Sequence, residues 1–180
     1  MKGNGMHKYR ITKYDPRYRN RDGIYTKQDW TSVSDTECGA LTIEKYIDTE
    51  DRYIRTFNNI TSVVGISCLI VSSLEKMLSC HEVEERDKRY GLTKYYSADI
   101  ELFNEVKEGI RLNIGKASDL IRLILREYIW CELSTGNDEK FTFGYDHYMY
   151  FYSDKEYSDV LMQCTCDGIF IEELTVMRNG

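Results

Sequence analysis

The sequence has a single proline among its 180 residues, only three histidines, and no glycine-rich loop of the kinds that commonly bind nucleotide phosphates. Neither GxxxxGK(S/T) nor GxGxxG occurs, and this absence disfavours the familiar nucleotide-dependent enzymes. Long apolar runs are also missing. The longest, residues 63–71, is interrupted by Gly65, Ser67 and Cys68 and is far shorter than the roughly 20 residues of a membrane helix. The sequence therefore predicts no transmembrane segment.

The N-terminal residues lack the apolar segment of a secretory signal, so we expect a cytoplasmic protein. In a reducing compartment the six cysteines should remain free thiols. Cys164 and Cys166, together with Cys80 and His81, are the one set that suggests a metal site. A single residue separates Cys164 from Cys166, whereas structural zinc sites usually place two to four residues between paired cysteines. We therefore predict neither a metal nor another cofactor.

Composition and charge describe a folded acidic protein with one basic end. Apolar residues make up 42% of the chain and charged residues 30%, which is typical of a globular protein, and the length suits one domain, residues 1–180. The net charge is −6, but residues 1–21 contain seven Lys or Arg and one acidic residue, a net charge of +6. The rest of the chain carries −12, which favours basic partners and disfavours nucleic acid.

The most distinctive segment is an aromatic stretch, residues 126–152, which contains nine of the 23 Phe, Trp and Tyr residues. Side chains alternate in character on both sides of a turn-forming segment, residues 134–139, and this pattern predicts a hairpin of two long strands. In the second strand, residues 141–152, Tyr145 and His147 should lie on the apolar face. The residues expected on the other face are Asp146, Tyr148, Tyr150 and Tyr152.

Hydrophobic periodicity and capping residues predict the remaining elements. A strand at 8–14 precedes the clearest helix, which starts after Thr42 with apolar residues at spacings of three and four. A β-branched run at 63–72 predicts a buried strand. The other expectations are a charged surface segment at 75–96, a helix between Ser97 and Gly109, a helix from about Ser118, a short helix within 154–164 and a strand at 168–176. Together they predict an α+β fold, a mostly antiparallel sheet with a central aromatic hairpin, packed by about three helices.

Two patterns keep other functions open. His147 is a candidate acid or base for a small enzyme, with Tyr145 or Cys131 as its partner, although a histidine on an aromatic face more often bonds a backbone carbonyl. Arginines alternate with tyrosines within residues 8–25, a pattern suited to phosphate contact and base stacking on RNA. Because the rest of the chain is acidic, a solvated basic loop is the favoured interpretation of this segment. We assign no catalytic residue.

Exposed tyrosines of the hairpin are the strongest indication of function, because tyrosine buries a large area at small entropic cost in protein interfaces. A sheet face that carries tyrosines and acidic residues would suit a basic protein partner. The candidate partner-binding residues are Asp146, Tyr148 and Tyr150 on the hairpin and Glu172 and Glu173 on the last strand. Neighbours in a strand point to opposite faces, so at most one of these two glutamates should take part unless the strand lies at an edge of the sheet.

Four segments carry a resemblance to a known class of protein. They read YRITKYDPRYRNRDGIYTKQDWTSVSD, REYIWCELS, FGYDHYMYF and GIFIEE, beginning at residues 9, 126, 143 and 168. Together they resemble small bacterial immunity proteins of polymorphic or contact-dependent toxin systems. The resemblance implies a cytosolic protein that binds and neutralises a cognate toxin, and the basic character of nuclease toxins agrees with the acidic chain. We expect a monomer or a weak dimer.

Overall fold

Seven antiparallel strands form one sheet in the computed structural model, which describes residues 6–174. Their spatial order is β3-β2-β4-β5-β6-β1-β7. The predicted α+β class with an antiparallel sheet is confirmed. The strands are β1 (His7–Thr12), β2 (Cys68–Lys76), β3 (Arg111–Asn113), β4 (Ile129–Ser134), β5 (Lys140–Phe143), β6 (Met149–Ser153) and β7 (Phe170–Leu174).

Five α-helices occur within the described residues, and three of them, α1, α2 and α4, are longer than two turns. This agrees with the expected number of about three helices. The helices are α1 (Ile43–Val64), α2 (Cys80–Tyr90), α3 (Ile100–Glu105), α4 (Ile114–Leu125) and α5 (Ser158–Leu161). Their apolar side chains form a common core with one face of the sheet.

Strand side chains alternate between the two faces of the sheet, as the sequence pattern predicts. The face towards the helices is buried and apolar; its members include Tyr9, Ile11, Leu69, Val71, Cys131, Leu133, Phe141, Phe143, Met149 and Phe151. On the opposite face, Trp130, Tyr150 and Tyr152 are only half-buried. The sheet therefore has one face covered by helices and one helix-free face.

Helix α1 begins where the sequence predicts, because the Thr42 hydroxyl caps it by accepting a hydrogen bond from the Lys45 amide. Its end differs from the prediction of a strand at 63–72. Residues 63 and 64 complete the helix, Gly65 ends it with a φ of 84°, and β2 starts at Cys68. Only glycine adopts this left-handed conformation without strain, so Gly65 outweighs the β-branched run before it.

Helix α2 lies within residues 75–96, for which the sequence predicts only a charged surface segment. Apolar residues are sparse in α2, where Val83, Asp87 and Tyr90 form the buried face. The start signal was nevertheless present. Ser79 and Glu82 form a capping box, in which each side chain bonds the backbone amide of the other residue.

The aromatic hairpin differs from the prediction in its second half. Residues 141–152 form two strands, β5 and β6, that pair with each other around a turn at residues 144–148. Asp146 and His147 both have positive φ values, 57° and 59°, as in the tight turns that match the twist of a hairpin. Asp146 therefore lies in a turn and not on the tyrosine-bearing strand, and Tyr145 points to solvent rather than to the core.

Several helices and strands begin or end at residues other than those predicted. Helix α3 is capped by Asp99 rather than Ser97, and α4 starts at Ile114, after an unpredicted short strand β3. The short helix within 154–164 appears as α5, followed by a 3₁₀ turn at Met162–Cys164. Strand β7 was expected at 168–176, and the last two of those positions lie outside the described residues. Capping side chains, which are short-range signals, decide where α3 and α4 begin.

A buried ionic cluster joins α1 to the end of α4. The Arg126 guanidinium donates two hydrogen bonds to the Glu50 carboxylate, at 2.8 and 2.9 Å, and both side chains are almost fully buried. Arg122 donates to Glu50 at 2.6 Å and to Asp51 at 2.7 Å. Burial alone would lower the pKa of Arg126, but the hydrogen bonds and charge of Glu50 outweigh it, so that this pKa is raised.

The same cluster reaches the segment between α2 and α3. Arg126 donates to the Tyr96 carbonyl at 2.9 Å, and its guanidinium lies 3.6 Å from the Asp87 carboxylate. Asp87 also accepts hydrogen bonds from the Tyr128 hydroxyl, at 2.8 Å, and from the Ala98 amide. One buried guanidinium thus connects four separate parts of the chain.

We expect the replacement Arg126→Met to lower the free energy of unfolding by about 3–5 kcal/mol, because it leaves the Glu50 carboxylate buried with one cation fewer. Urea unfolding measures the loss. Arg55→Met is the matched control, since Arg55 is exposed on α1 and should change stability by less than about 0.5 kcal/mol.

The double replacement Glu50→Met with Arg126→Met sharpens this prediction. It should cost less than the sum of the two single replacements, because neither charge of the pair is then left alone in the core. Additive losses would contradict the interpretation of Glu50 and Arg126 as one buried unit.

Candidate functional site

The helix-free face presents a cluster that we call the tyrosine face: Tyr148, Tyr150, Tyr152, Lys8 and Arg10. Strands β1 and β6 are neighbours, and their register places Lys8 opposite Tyr152 and Arg10 opposite Tyr150. The rings of Tyr148 and Tyr150 stack with their centres 6.2 Å apart. The expectation that the three tyrosines share one face is confirmed.

Cationic side chains lie over these rings. The Lys8 ammonium is 4.4 Å from the ring centre of Tyr150 and 5.3 Å from that of Tyr152. Lys8 makes no ion pair with any residue in 6–174, so its charge is free for a partner. Cation–π contacts of this kind stabilise partly exposed aromatic side chains and hold the cation in place.

Glu172 lies on the same face, but its charge is already balanced. Arg10 donates two hydrogen bonds to its carboxylate, both at 2.9 Å, and Arg19 donates a third at 3.2 Å. Arg19 also donates to the Tyr148 hydroxyl at 3.2 Å. The basic N-terminal segment thus lies partly against the sheet, and the tyrosine face is not acidic, in contrast to the sequence-based expectation.

Glu173 points to the other side of the sheet, as strand geometry predicts. Its carboxylate accepts a hydrogen bond from the Ser158 hydroxyl at 2.7 Å and lies 3.1 Å from Nδ1 of His7. The structure therefore does not bring Glu173 together with Asp146, Tyr148 and Tyr150. The Ser158 bond lowers the pKa of Glu173, with His7 as the second cause.

A cavity of about 660 Å³ opens at the end of the sheet beside the tyrosine face, and we call it the end pocket. Its walls come from the end of β2, helix α2, the connection between α4 and β4, and the turn between β5 and β6. Trp130 and Phe143 supply apolar wall, and the Trp130 indole donates to the Phe143 carbonyl at 2.9 Å. Tyr148 belongs to both regions, so the pocket and the tyrosine face are continuous.

The end pocket is negatively charged. Glu75, Glu127 and Asp146 line it together with a single cation, Arg86. Within the described part of the chain none of these four side chains forms an ion pair. Glu127 is accessible to solvent yet surrounded by protein, and burial raises its pKa, with the Asp146 charge acting in the same direction.

Large apolar side chains at the edge of this pocket are exposed. Tyr145 is 93% exposed at the tip of the turn, and Met77 is 64% exposed at the end of β2. Both line the pocket. A monomer gains nothing from exposing such side chains, and aromatic residues and methionine are enriched in protein interfaces. Sequence reasoning placed Tyr145 in the core; the signal it overlooked was Gly144, which marks the turn.

His147 is enclosed and does not form a catalytic site with the proposed partners. Its Nδ1 donates to the Thr31 carbonyl at 3.0 Å, and its ring packs among Trp30, Tyr46 and Tyr53. The side chain of Tyr145 points into solvent, and Cys131 lies in the core, where burial raises its thiol pKa to about 12. The expected backbone-bound histidine is therefore confirmed.

The cysteines do not assemble into a site. All six are free thiols, and no group of three or more His, Cys, Asp or Glu in residues 6–174 could hold a metal ion. Cys80 bonds Asn104, while His81 pairs with Glu85 on the same helix. No helix between residues 6 and 174 is long and apolar enough to cross a membrane.

Comparison with known proteins found no match among family models, curated proteins or solved structures. The tyrosine face and the end pocket are therefore the features that indicate function.

Burial lowers the pKa of His147 to about 4, and this predicts a pH dependence of stability. The unfolded chain binds the proton more tightly, so the folded state loses stability as the pH falls from about 6.5 towards 4. This residue should account for about 2–3 kcal/mol of that loss. His147→Asn tolerates the positive φ and should remove this part of the pH dependence in unfolding experiments.

The matched control is His81→Asn. His81 is an exposed histidine on α2, so its replacement should leave in place the part of the stability loss that is due to His147. An identical slope for His147→Asn and wild type would show that the buried imidazole is not the group that titrates.

Proposed function

We propose that this protein is a stoichiometric binding protein that captures a basic protein partner, such as a cognate bacterial toxin in the cytoplasm. The observation that carries the proposal is the exposure of Tyr145 and Met77 at the edge of a carboxylate-lined pocket. Aromatic anchors hold protein complexes together, and carboxylates without ion-pair partners attract cations. The toxin is the partner that the resemblance to immunity proteins implies.

The position of the pocket supports this function. The tyrosine face continues the surface on one side, so a partner seated over the pocket would also reach Tyr148 and Tyr150. A standard protein interface buries about 1,200–2,000 Å², more than one pocket alone provides. We therefore assign the docking surface to the end pocket together with the adjoining part of the tyrosine face.

The charge distribution gives the two parts different roles. Glu172 is neutralised by Arg10 and Arg19, so the tyrosine face would contribute contact area and hydrogen bonds. Glu75, Glu127 and Asp146 are not paired, so the pocket would contribute most of the attraction for a basic partner. Such attraction speeds encounter more than it prolongs the complex.

One observation favours a second candidate, a protein that contacts single-stranded RNA. Lys8 and Arg10 flank three tyrosines on a helix-free sheet face, and sheet faces with aromatic rings and cations bind bases by stacking and phosphates by charge. Binding of a short RNA at low salt, lost in Tyr150→Ala, would favour this candidate. Absence of a shift at low salt, where phosphate contacts are strongest, would remove it.

We expect the product of the neighbouring gene to bind this protein, and Tyr145→Ala to accelerate dissociation about tenfold or more, as the loss of an aromatic anchor does. Asp146→Lys should slow association, and the effect should shrink as salt increases. Surface plasmon resonance or stopped-flow fluorescence measures both rate constants.

Glu84→Lys is the control for charge, because Glu84 is exposed on α2 and does not line the pocket. It should leave association almost unchanged. Wild-type rates for both Tyr145→Ala and Asp146→Lys would place the docking surface elsewhere, and no binding at all would remove the proposed function.

A further inference from the structure

The end pocket has the chemistry to select one kind of side chain. Its apolar wall includes Trp130, Phe143 and Met77, which suit a hydrocarbon stem or a flat π-system. Its carboxylates, Glu75, Glu127 and Asp146, outnumber Arg86 and lack ion-pair partners among residues 6–174. An apolar stem with a cationic head is the shape of lysine and arginine.

Geometry favours arginine over lysine. A guanidinium is planar, stacks on aromatic rings and offers five hydrogen-bond donors, whereas an ammonium is compact and strongly hydrated. The pocket provides an indole and several acceptor oxygens along its walls. These oxygens belong to carboxylates, which when ionised only accept hydrogen bonds. Walls that only accept hydrogen bonds favour a ligand that only donates them.

The backbone holds the walls in place. Glu127 and Asp146 both have positive φ values, 61° and 57°, a conformation that costs free energy for residues other than glycine. Such conformations persist where the surrounding structure enforces them. Tyr128, which follows Glu127, is held by the hydrogen bond from its hydroxyl to Asp87. His147, which follows Asp146, is held by the hydrogen bond between its imidazole and the Thr31 carbonyl. Both carboxylates are therefore attached to well-supported backbone.

We propose that the end pocket is a recognition site for an arginine side chain presented by the protein partner. The guanidinium enters between the carboxylates and the arginine stem packs against Trp130. This inference rests on the proposed function, since it names the group through which a basic partner is anchored. The proposal assigns the pocket the main contribution to specificity, because its three carboxylates favour a cationic side chain over a neutral or acidic one.

A pair of small probes tests the site without the partner. N-acetyl-arginine methylamide and N-acetyl-citrulline methylamide have nearly the same shape, but only the first carries a charge. We expect the arginine compound to bind in a roughly millimolar range and to shift the NMR signal of the Trp130 indole N–H. Strand β7 does not line the pocket, so the backbone N–H signals of Phe170–Leu174 should stay in place as an internal control.

Substitution of the pocket carboxylates provides a second test of the arginine site. Glu75→Gln and Glu127→Gln should each weaken binding of the arginine compound about two- to fivefold, as expected for solvent-accessible ion pairs. Glu84→Gln, outside the pocket, should bind like wild type. An equal response to the citrulline compound, or no response of Trp130 to the arginine compound, overturns the proposal.

The partner experiment separates this inference from the proposed function. Suppose that the neighbouring gene product binds wild type and the double variant Glu75→Gln/Glu127→Gln equally well, and that the arginine compound does not shift the Trp130 indole signal. The pocket proposal then fails while the binding function stands. If instead the arginine compound binds as expected and no basic protein does, the arginine site stands and the proposed function fails.

Discussion

The Glu50–Arg126 ion pair is the interaction on which the rest of the fold depends. It joins the long helix α1 to the end of α4, next to the start of β4, and through Asp87 and the Tyr96 carbonyl it fixes the segments around α2. Arg126 directly precedes Glu127, and α2 carries Arg86, so the same cluster positions two walls of the end pocket. A buried charge pair tolerates little displacement, because any separation leaves a charge without compensation in a medium of low dielectric.

Elements with strong short-range signals could be predicted from the sequence. Tyr9 and Ile11 face the core as expected, and Thr42 caps α1. The sequence pattern predicts no turn at 144–148, but its prediction that Tyr148, Tyr150 and Tyr152 share a face is still correct. An even number of positions separates the paired residues Phe143 and Met149, so the alternation of faces continues unchanged across the turn. Asp146 and His147 could not follow that pattern, since their positive φ values take both residues out of the strand.

The end pocket was beyond prediction from sequence patterns, because its walls come from four segments that are distant in the chain. The charge of the sequence also does not predict which carboxylates are unpaired in the folded protein. A total of −12 beyond residue 21 does not tell which carboxylates are free, and Glu172 proved to be held by two arginines while Glu75 and Asp146 were not. Net charge affects how fast a charged partner associates with the protein. Ion pairing in the folded state decides which carboxylates remain available to bind that partner.

The place of β1 in the sheet has a consequence for biosynthesis. Strand β1, the first of the described strands, lies between β6 and β7, so it cannot pair until residues 149–153 have left the ribosome. Pairing between such distant segments is slow, because the entropy of closing the loop is lost before the contacts form. Lys8 and Arg10 belong to this strand, so the tyrosine face is completed only in the last stages of folding. A chain that lacks β6 would consequently be unable to engage ligands through the complete tyrosine face.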